Sequence, residues 1–238
     1  MLKKILNSLI SCIFPSLCIS CGRKTEENIL CKRCLEKIEF LSPPLCKMCS
    51  QPLKKKEIYI CNKCKGENFF YDQLISAVYY KEPIISLVHL FKYNYYDFLG
   101  EFFSSLIVKQ LNTLGFNYKE FDFITNVPSH PVRIKERDYS PTKLLAYQCA
   151  QKMKIPFQEV LICKYLHKSQ TKLSFRERQT NVKGVFESKD DVKGKKIILI
   201  DDIVTTKATL SECSKVLKEK GAKYIVGLTL AKSYENYS

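Results

Sequence analysis

The sequence predicts an α/β protein in which a small cysteine-rich, zinc-binding module precedes a domain built on a mainly parallel sheet. Two observations lead to this prediction. Four Cys-x-x-Cys pairs are concentrated between Cys18 and Cys64. Beyond them, short β-branched apolar runs alternate with segments of helical periodicity, the pattern that a parallel sheet with crossover helices requires. We therefore place the module at residues 1–69 and the α/β domain at residues 70–238.

The cysteine pairs predict two structural zinc sites. A Cys-x-x-Cys turn directs two thiolates at one tetrahedral ion, and two such pairs complete a closed Cys₄ site. The eight ligands are Cys18, Cys21, Cys31, Cys34, Cys46, Cys49, Cys61 and Cys64. Taken in sequence order they form two sites, although spacing alone also allows interleaved pairing. A disulfide framework is the alternative, and it is disfavoured because it requires an oxidising compartment that the sequence does not indicate.

Four further cysteines fall outside this pattern. We interpret Cys149, Cys163 and Cys213 as small apolar core residues and assign no role to Cys12.

One stretch of the second domain has the pattern of a central strand followed by a helix. Ile197 to Ile200 is a continuous apolar run, short enough for a strand buried on both faces, and Asp201 and Asp202 follow it directly. After a turn, apolar residues recur from Leu210 at the spacing of one helix face. The predicted order is strand, acidic pair, hydroxyl-rich turn and helix.

The turn after the acidic pair predicts a site for a phosphorylated sugar. Ligands of open α/β sheets bind at the carboxyl ends of strands, and a helix N-terminus attracts anions. Asp201 and Asp202 are placed to accept hydrogen bonds from sugar hydroxyls or to bind hydrated Mg²⁺. The residues expected to hold the phosphate are Thr205, Thr206, Lys207, Ala208 and Thr209. The alternative, acids that merely cap the helix, is disfavoured because one cap does not require two adjacent acids.

The remaining apolar runs place the other elements of this domain. The predicted strands are Leu74 to Tyr80, Phe121 to Val127, Val160 to Cys163 and Tyr224 to Leu230. The predicted helices start at Pro83, near Phe98 and near Thr142. Because Gly221 is a good helix stop, we expect the strand that follows it to lie beside Ile197 to Ile200.

The formal net charge of +15 indicates an anionic partner. Charge alone does not distinguish nucleic acid, nucleotide phosphates and acidic lipid, and a lysine-rich surface without a partner is the simplest alternative. Basic residues between the cysteines, followed by Phe69, Phe70 and Tyr71, suit single-stranded nucleic acid. Part of that charge only neutralises thiolates, since each Cys₄ zinc site carries a formal charge of about −2.

The N-terminal segment is too short and too weakly apolar to span a bilayer. We interpret Ile5 to Phe14 as an amphipathic helix that packs on the body. Lys3 and Lys4 leave a weak membrane contact as the alternative. No other stretch of the sequence is long and apolar enough to cross a membrane.

The stretch from Ile197 to Thr209 resembles the phosphoribosyl pyrophosphate (PRPP) loop of type I phosphoribosyltransferases. That family has an apolar strand, two acids, two apolar residues and a Thr/Gly-rich turn, with Gly where this chain has Lys207. Glycine permits positive φ and close approach of the backbone to a ligand. A lysine there introduces strain, blocks the pocket or adds a phosphate contact. The resemblance implies Mg²⁺ with PRPP as ligand.

The same resemblance implies a lid over the ligand. In phosphoribosyltransferases a loop closes over PRPP, and the long basic segment from Lys164 to Lys183 corresponds to it. Arg176 and Arg178 would neutralise the departing pyrophosphate. A solvated basic loop is the alternative. A second anion-binding patch is expected at His130, Arg133 and Arg137.

Short motifs in order along nearly the whole chain resemble the ComF family. They are Phe14-Pro15 before Cys18-Ile19-Ser20-Cys21-Gly22, His89-Leu90-Phe91-Lys92-Tyr93, Asn126-Val127-Pro128, Arg137-Asp138-Tyr139-Ser140 and Glu177-Arg178 with Asn181 to Phe186. Asp138 and Ser140 depart from the family's Arg-Gly-Phe-Asn pattern. The resemblance implies a zinc module on a phosphoribosyltransferase-like domain that handles single-stranded DNA during natural transformation. It also implies a cytoplasmic location, peripheral contact with the inner membrane, and the DNA-uptake machinery there as a partner.

Three functions compete at this stage. The first is single-stranded DNA handling by a protein that uses the transferase fold for binding. The second is an active phosphoribosyltransferase for which the sequence identifies no acceptor. The third is a PRPP sensor without chemistry.

Overall fold

A four-stranded parallel sheet forms the centre of the structure, a computed structural model that describes residues 16–25, 29–55, 57–164 and 184–233. In spatial order the strands are β1 (Gln73–Tyr80), β6 (Tyr224–Ser233), β5 (Lys196–Val204) and β2 (Phe123–Asn126). All neighbouring pairs are parallel. The predicted neighbours are confirmed, since Ile198 of β5 lies opposite Val226 of β6.

Strand β5 is longer than the predicted strand from Ile197 to Ile200. Its pairing with β6 continues past the apolar run, with Asp201 opposite Thr229 and Val204 opposite Lys232. The prediction ended the strand at the first acid because carboxylates are uncommon in buried strands. The acidic pair therefore lies within the last residues of the strand, where the backbone holds both side chains in fixed directions.

The described part of the chain also contains six α-helices and one 3₁₀ turn. The helices are α1 (Lys32–Leu35), α2 (Ile84–Tyr93), α3 (Leu99–Thr113), α4 (Pro131–Arg137), α5 (Pro141–Met153) and α6 (Ala208–Glu219), and the 3₁₀ turn is Tyr118–Glu120. Helix α4 was not predicted. It starts because the His130 ring accepts a hydrogen bond from the Val132 N–H (3.1 Å) and Pro131 occupies the first turn.

The sheet is covered on both faces by apolar layers. Helices α2, α3 and α5 pack on one face around Phe91, Phe103 and Leu145, which are fully buried. On the other face, α6 packs on β5 through Leu210 and Leu217, as its periodicity predicts. The carboxyl end of β5, where the sequence predicts a ligand site, therefore lies between two helical layers.

A second, two-stranded sheet lies on the α6 side. It pairs β3 (Leu161–Cys163) antiparallel with β4 (Phe186–Ser188). The strand predicted at Val160 to Cys163 therefore exists, but it does not join the parallel sheet. Its partner is three residues long, too short for period-2 alternation to reveal it.

The cysteine module attaches along the outer edge of β1. The Leu41 N–H donates to the Ala77 carbonyl (3.1 Å), and the Tyr79 N–H donates to the Glu39 carbonyl (2.9 Å). Farther along the same strand, the Leu74 N–H donates to the Lys47 carbonyl (2.8 Å). These bonds cover an edge that would otherwise offer unpaired backbone groups. The predicted domain boundary at residues 69 and 70 stays a prediction.

Within the ranges that the structure describes, no helix has both the length and the apolar character needed to span a bilayer. The helix predicted from Ile5 to Phe14 lies outside the described residues, as does Cys12.

Candidate functional site

The eight paired cysteines come together in two groups that follow sequence order. The first zinc centre comprises Cys18, Cys21, Cys31 and Cys34, and the second comprises Cys46, Cys49, Cys61 and Cys64. Within each group the sulfur atoms all lie within 4.8 Å of one another. The Sγ atoms of Cys21 and Cys31, like those of Cys49 and Cys61, are 3.7 Å apart.

These distances fit zinc and exclude disulfides. Tetrahedral Zn–S bonds of about 2.3 Å place two sulfurs about 3.8 Å apart, whereas a disulfide requires about 2.05 Å. The Cys61 N–H also donates to the Cys46 sulfur (3.3 Å), which favours the thiolate form that zinc binds. Around the second centre the apolar cluster is small and includes Met48, Leu53 and Phe69. Zinc would therefore supply folding energy that so small a core cannot.

We predict two zinc ions per chain, measured by atomic absorption on purified protein. Cys61→Ser should retain about one zinc, because it opens the second centre and leaves the first intact. Cys149→Ala is the matched control and should retain both, since Cys149 is a buried core residue outside both groups. Disulfide-bonded protein without zinc, or equal zinc in both variants, would contradict this assignment.

An open pocket of about 870 Å³ lies at the carboxyl end of β5. Asp201 and Asp202 line it, together with Thr205, Thr206, Lys207 and Thr209 of residues 205–209, which we call the phosphate turn; Ala208 is not among the lining residues. Thr205, Thr206 and Lys207 form the bend, and Ala208 and Thr209 begin α6. Four basic or aromatic residues of α2 and α4 also line the pocket and form what we call the rim: His89, Tyr93, Arg133 and Arg137. His130 lines the pocket as well.

The two acids face opposite layers of the structure because side chains alternate along a strand. Asp202 shares its face with Ile198 and Ile200, which pack toward α2, α3 and α5. There its Oδ2 atom lies 2.6 Å from Nζ of Lys92, and the two side chains are only 10% and 22% exposed. Burial acts to lower the pKa of Lys92, but the Asp202 carboxylate outweighs it, so the pKa is raised and the lysine stays charged.

Asp201 faces the α6 layer, and among the described residues it forms no ion pair comparable to that of Asp202 with Lys92. Burial, reinforced by the charge of Asp202, raises its pKa to about 7, and the charge of Lys92 offsets part of this effect. Its Oδ1 atom accepts a hydrogen bond from the Asp202 N–H (2.9 Å). Near neutral pH the Asp201 carboxyl therefore exchanges between its protonated and ionised forms.

The two residues that stand where the family patterns have glycine, Lys207 and Asp138, keep the backbone conformation that glycine would provide. Lys207 has φ of 65° and Asp138 has φ of 57°, each in the left-handed region that favours glycine. Ser140 caps α5, accepting from the Lys143 N–H (3.4 Å) as asparagine would. The Lys207 ammonium turns away from the phosphate turn, toward Glu67 (3.1 Å) and the Cys64 sulfur (3.8 Å). Its phosphate-binding role is thus left to its backbone and stays a prediction.

Some sequence expectations need correction. Tyr71 is 2% exposed and belongs to the core, so it cannot stack on nucleic acid, although Phe70 remains 44% exposed. His89 was assigned no role from the sequence, yet it lines the pocket. Lys92 was assigned no role, yet it lies one helical turn after the buried Val88. A charged residue on a buried helix face was the available signal for a buried acidic partner.

The predicted lid residues Arg176 and Arg178 lie outside the described residues, and their catalytic role stays a prediction.

Two family models match this chain, in agreement with its fold and sites. One is the double zinc ribbon domain, over residues 9–65, and the other is the phosphoribosyl transferase domain, over residues 144–234. The class of protein is therefore one that joins a double zinc ribbon to a phosphoribosyltransferase-type domain.

Two proteins are similar to most of this chain, and one solved structure is similar to part of it. Competence protein F of Haemophilus influenzae is 27% identical over 228 residues, covering 92% of this chain and 98% of that protein. DNA utilization protein YhgH of Escherichia coli K12 is 25% identical over 191 residues, covering 75% of this chain and 79% of that protein. The allosteric regulatory enzyme of purine biosynthesis aligns with 55% of this chain and 25% of its own, at 20% identity and a TM-score of 0.36. The resemblance to the ComF family is confirmed: the chain is a homologue of competence protein F and YhgH.

The raised pKa of Asp201 predicts a specific pH dependence of stability. Its folded pKa of about 7 lies above the unfolded value of about 3.9, so folding favours the protonated form. The resulting stabilisation is complete below about pH 4 and is lost as the pH rises through about 7. Asp201→Asn cannot ionise, and its stability relative to the wild type should rise over this window by on the order of 1–3 kcal/mol.

Urea unfolding of both zinc-loaded proteins from mildly acidic to mildly alkaline pH measures this difference. Both proteins lose zinc alike on acidification, so the comparison isolates Asp201. Asp191→Asn, on an exposed turn, is the matched control and should follow the wild type. If the free energy of unfolding changed with pH in the same way for the wild type and Asp201→Asn, the pKa of the Asp201 carboxyl would not be raised by folding.

Proposed function

We propose that this chain is a competence-associated protein that handles single-stranded DNA, and that the strand contacts the rim of the pocket. The observation that carries the proposal is the pairing of Arg137 with Tyr93. The Arg137 guanidinium carbon lies 4.6 Å from the centre of the Tyr93 ring, and that ring is 50% exposed. A solvent-facing aromatic ring beside a fixed cation offers a base a stacking surface and a phosphate a charge.

The neighbourhood of this pair supports the same chemistry. The centres of the His89 and Tyr93 rings lie 4.9 Å apart, so His89 extends the aromatic surface. Arg133 lines the same pocket, so the rim places two guanidinium groups beside the aromatic rings. Such a surface binds single strands with little sequence preference, because every base has a face that stacks.

The cysteine module adds a second basic surface. Its exposed basic residues are Arg23, Lys24, Lys32, Arg33, Lys37, Lys47, Lys54, Lys55, Lys63 and Lys65. The two zinc centres would neutralise part of this charge, and the overall +15 leaves a net attraction for polyanions. This surface would strengthen strand binding without contributing sequence readout.

The names of the relatives support the proposed context. They include a competence protein and a DNA utilization protein, and the match spans most of each chain. Action in the cytoplasm, beside the DNA-uptake machinery of the inner membrane, is part of this proposal.

The test is fluorescence anisotropy of a labelled single-stranded oligonucleotide with zinc-loaded protein. Tyr93→Ala should weaken binding about tenfold through lost stacking, with the salt dependence unchanged. Arg137→Ala should instead reduce the slope of log K against log salt concentration by about 1, because one phosphate contact is lost.

Tyr147→Ala is the matched control, since Tyr147 is 47% exposed on α5 outside the pocket lining. It should bind as the wild type does. Tighter binding of the double strand, or equal loss in the Tyr93 and Tyr147 variants, would remove the rim from the proposal.

The acidic pair and the start of α6, which line the same pocket, favour a second ligand. Asp201 and Asp202 offer carboxylate oxygens to ribose hydroxyls or hydrated Mg²⁺, and the first turn of α6 directs backbone N–H groups toward the same end of β5. We infer that Mg-PRPP, or a related phosphorylated ribose, binds here. The Lys92 ammonium would hold the Asp202 side chain in place. Arg176 and Arg178 would act on the pyrophosphate in a transferase reaction.

Calorimetric titration of Mg-PRPP into zinc-loaded protein tests this ligand. Asp201→Asn should lose most of the binding, and its urea unfolding curve verifies that the variant is folded. Asp191→Asn should bind normally. Pyrophosphate release in the same samples would identify a transferase, whereas binding without release would identify a PRPP sensor. Unchanged binding by Asp201→Asn would place the ligand elsewhere.

A further inference from the structure

Lys207 connects the phosphate turn to the second zinc centre. Its backbone lies in the bend just before α6, with φ of 65°. A non-glycine residue in this conformation is strained, and a strain of about 1.4 kcal/mol lowers the population of the bend about tenfold. Contacts made elsewhere by the side chain must therefore hold the residue in place.

Among the described residues, the Lys207 ammonium contacts the cysteine module. Its Nζ atom lies 3.1 Å from Oε2 of Glu67 and 3.8 Å from Sγ of Cys64. The same atom is 4.8 Å from the centre of the Phe69 ring, a cation–π distance. Only 13% of the side chain is exposed. The ammonium is thus enclosed by an acid, a zinc ligand and an aromatic face.

A second contact joins the same two regions. The Phe70 N–H donates to Oγ of Ser211 in the first turn of α6 (3.3 Å). Residues 64–70, which we call the strap, therefore run from a zinc ligand to the start of α6 and contact it at two points. Because Cys64 would be fixed by zinc, the position of the strap depends on whether the second centre is loaded.

We propose that Lys207 is a positioning residue through which the second zinc centre holds the phosphate turn in its ligand-binding conformation. Zinc would fix Cys64 and the strap, the strap holds the Lys207 ammonium, and the ammonium holds the strained bend. In return, the positive charge beside Cys64 would stabilise the negatively charged zinc–thiolate centre. The ligand named here rests on the proposed function, whereas the link between zinc and turn does not.

Three variants separate the parts of this link. Lys207→Met keeps the strained backbone and the aliphatic stem but removes the ammonium. Lys207→Gly removes the ammonium and the strain together. Lys220→Met, at the exposed far end of α6, is the matched loss of one charge.

The first measurement is hydrogen exchange by mass spectrometry on the zinc-loaded proteins. In Lys207→Met, peptides over residues 203–211 and 61–70 should exchange about tenfold faster, as expected for a lost charged hydrogen bond. Zinc release to a colorimetric chelator should be faster for one of the two ions. Lys220→Met should match the wild type in both. Wild-type exchange and wild-type zinc release in Lys207→Met would overturn the proposal.

The second measurement is Mg-PRPP affinity by calorimetry. Lys207→Met should bind about tenfold more weakly, and Lys207→Gly should recover part of that loss, because glycine adopts the bend without strain. Equal affinity of Lys207→Met and the wild type would overturn the effect on the ligand. If the wild type binds no Mg-PRPP, the proposed ligand fails, and the exchange and zinc-release results still decide the role of Lys207.

Discussion

The burial of β5 on both faces is the constraint on which the site depends. Because the strand is covered by helical layers on each side, two consecutive acids at its end must enter two different environments. Asp202 pairs with the Lys92 ammonium, whereas Asp201 enters the α6 layer, where burial raises its pKa to about 7. One strand thus places an ion-paired carboxyl and a titratable one in the same pocket.

The zinc module extends this sheet and does not stand apart from it. Its backbone pairs with β1 at Leu41 and Lys47, and its strap reaches the first turn of α6. A small module with so few apolar residues around Cys46 and Cys49 is expected to need zinc for its structure. Zinc binding is consequently expected to stabilise the edge of the α/β domain as well.

The sequence allowed the local features to be predicted. The spacing of the cysteines identified both zinc centres, and the apolar run before Asp201 identified the central strand and the helix after it. Features that depend on distant contacts were missed. The Lys92–Asp202 pair joins two elements far apart in the chain, and the direction of the Lys207 side chain depends on where the strap lies. The antiparallel pairing of β3 was missed because its partner strand, β4, is only three residues long and carries almost no periodic signal.

The rim and the acidic pair line one pocket. The rim offers aromatic rings and cationic groups to a ligand, and the acidic pair offers carboxyl oxygens. The most direct measurement of the role of the pocket is photocrosslinking of zinc-loaded protein to a single-stranded oligonucleotide that contains 5-bromodeoxyuridine, followed by peptide mass spectrometry. We predict a dominant crosslink at Tyr93 that Mg-PRPP reduces, because both ligands occupy the same pocket. Crosslinks confined to the cysteine module, with none at the rim, would contradict the proposed path of the strand.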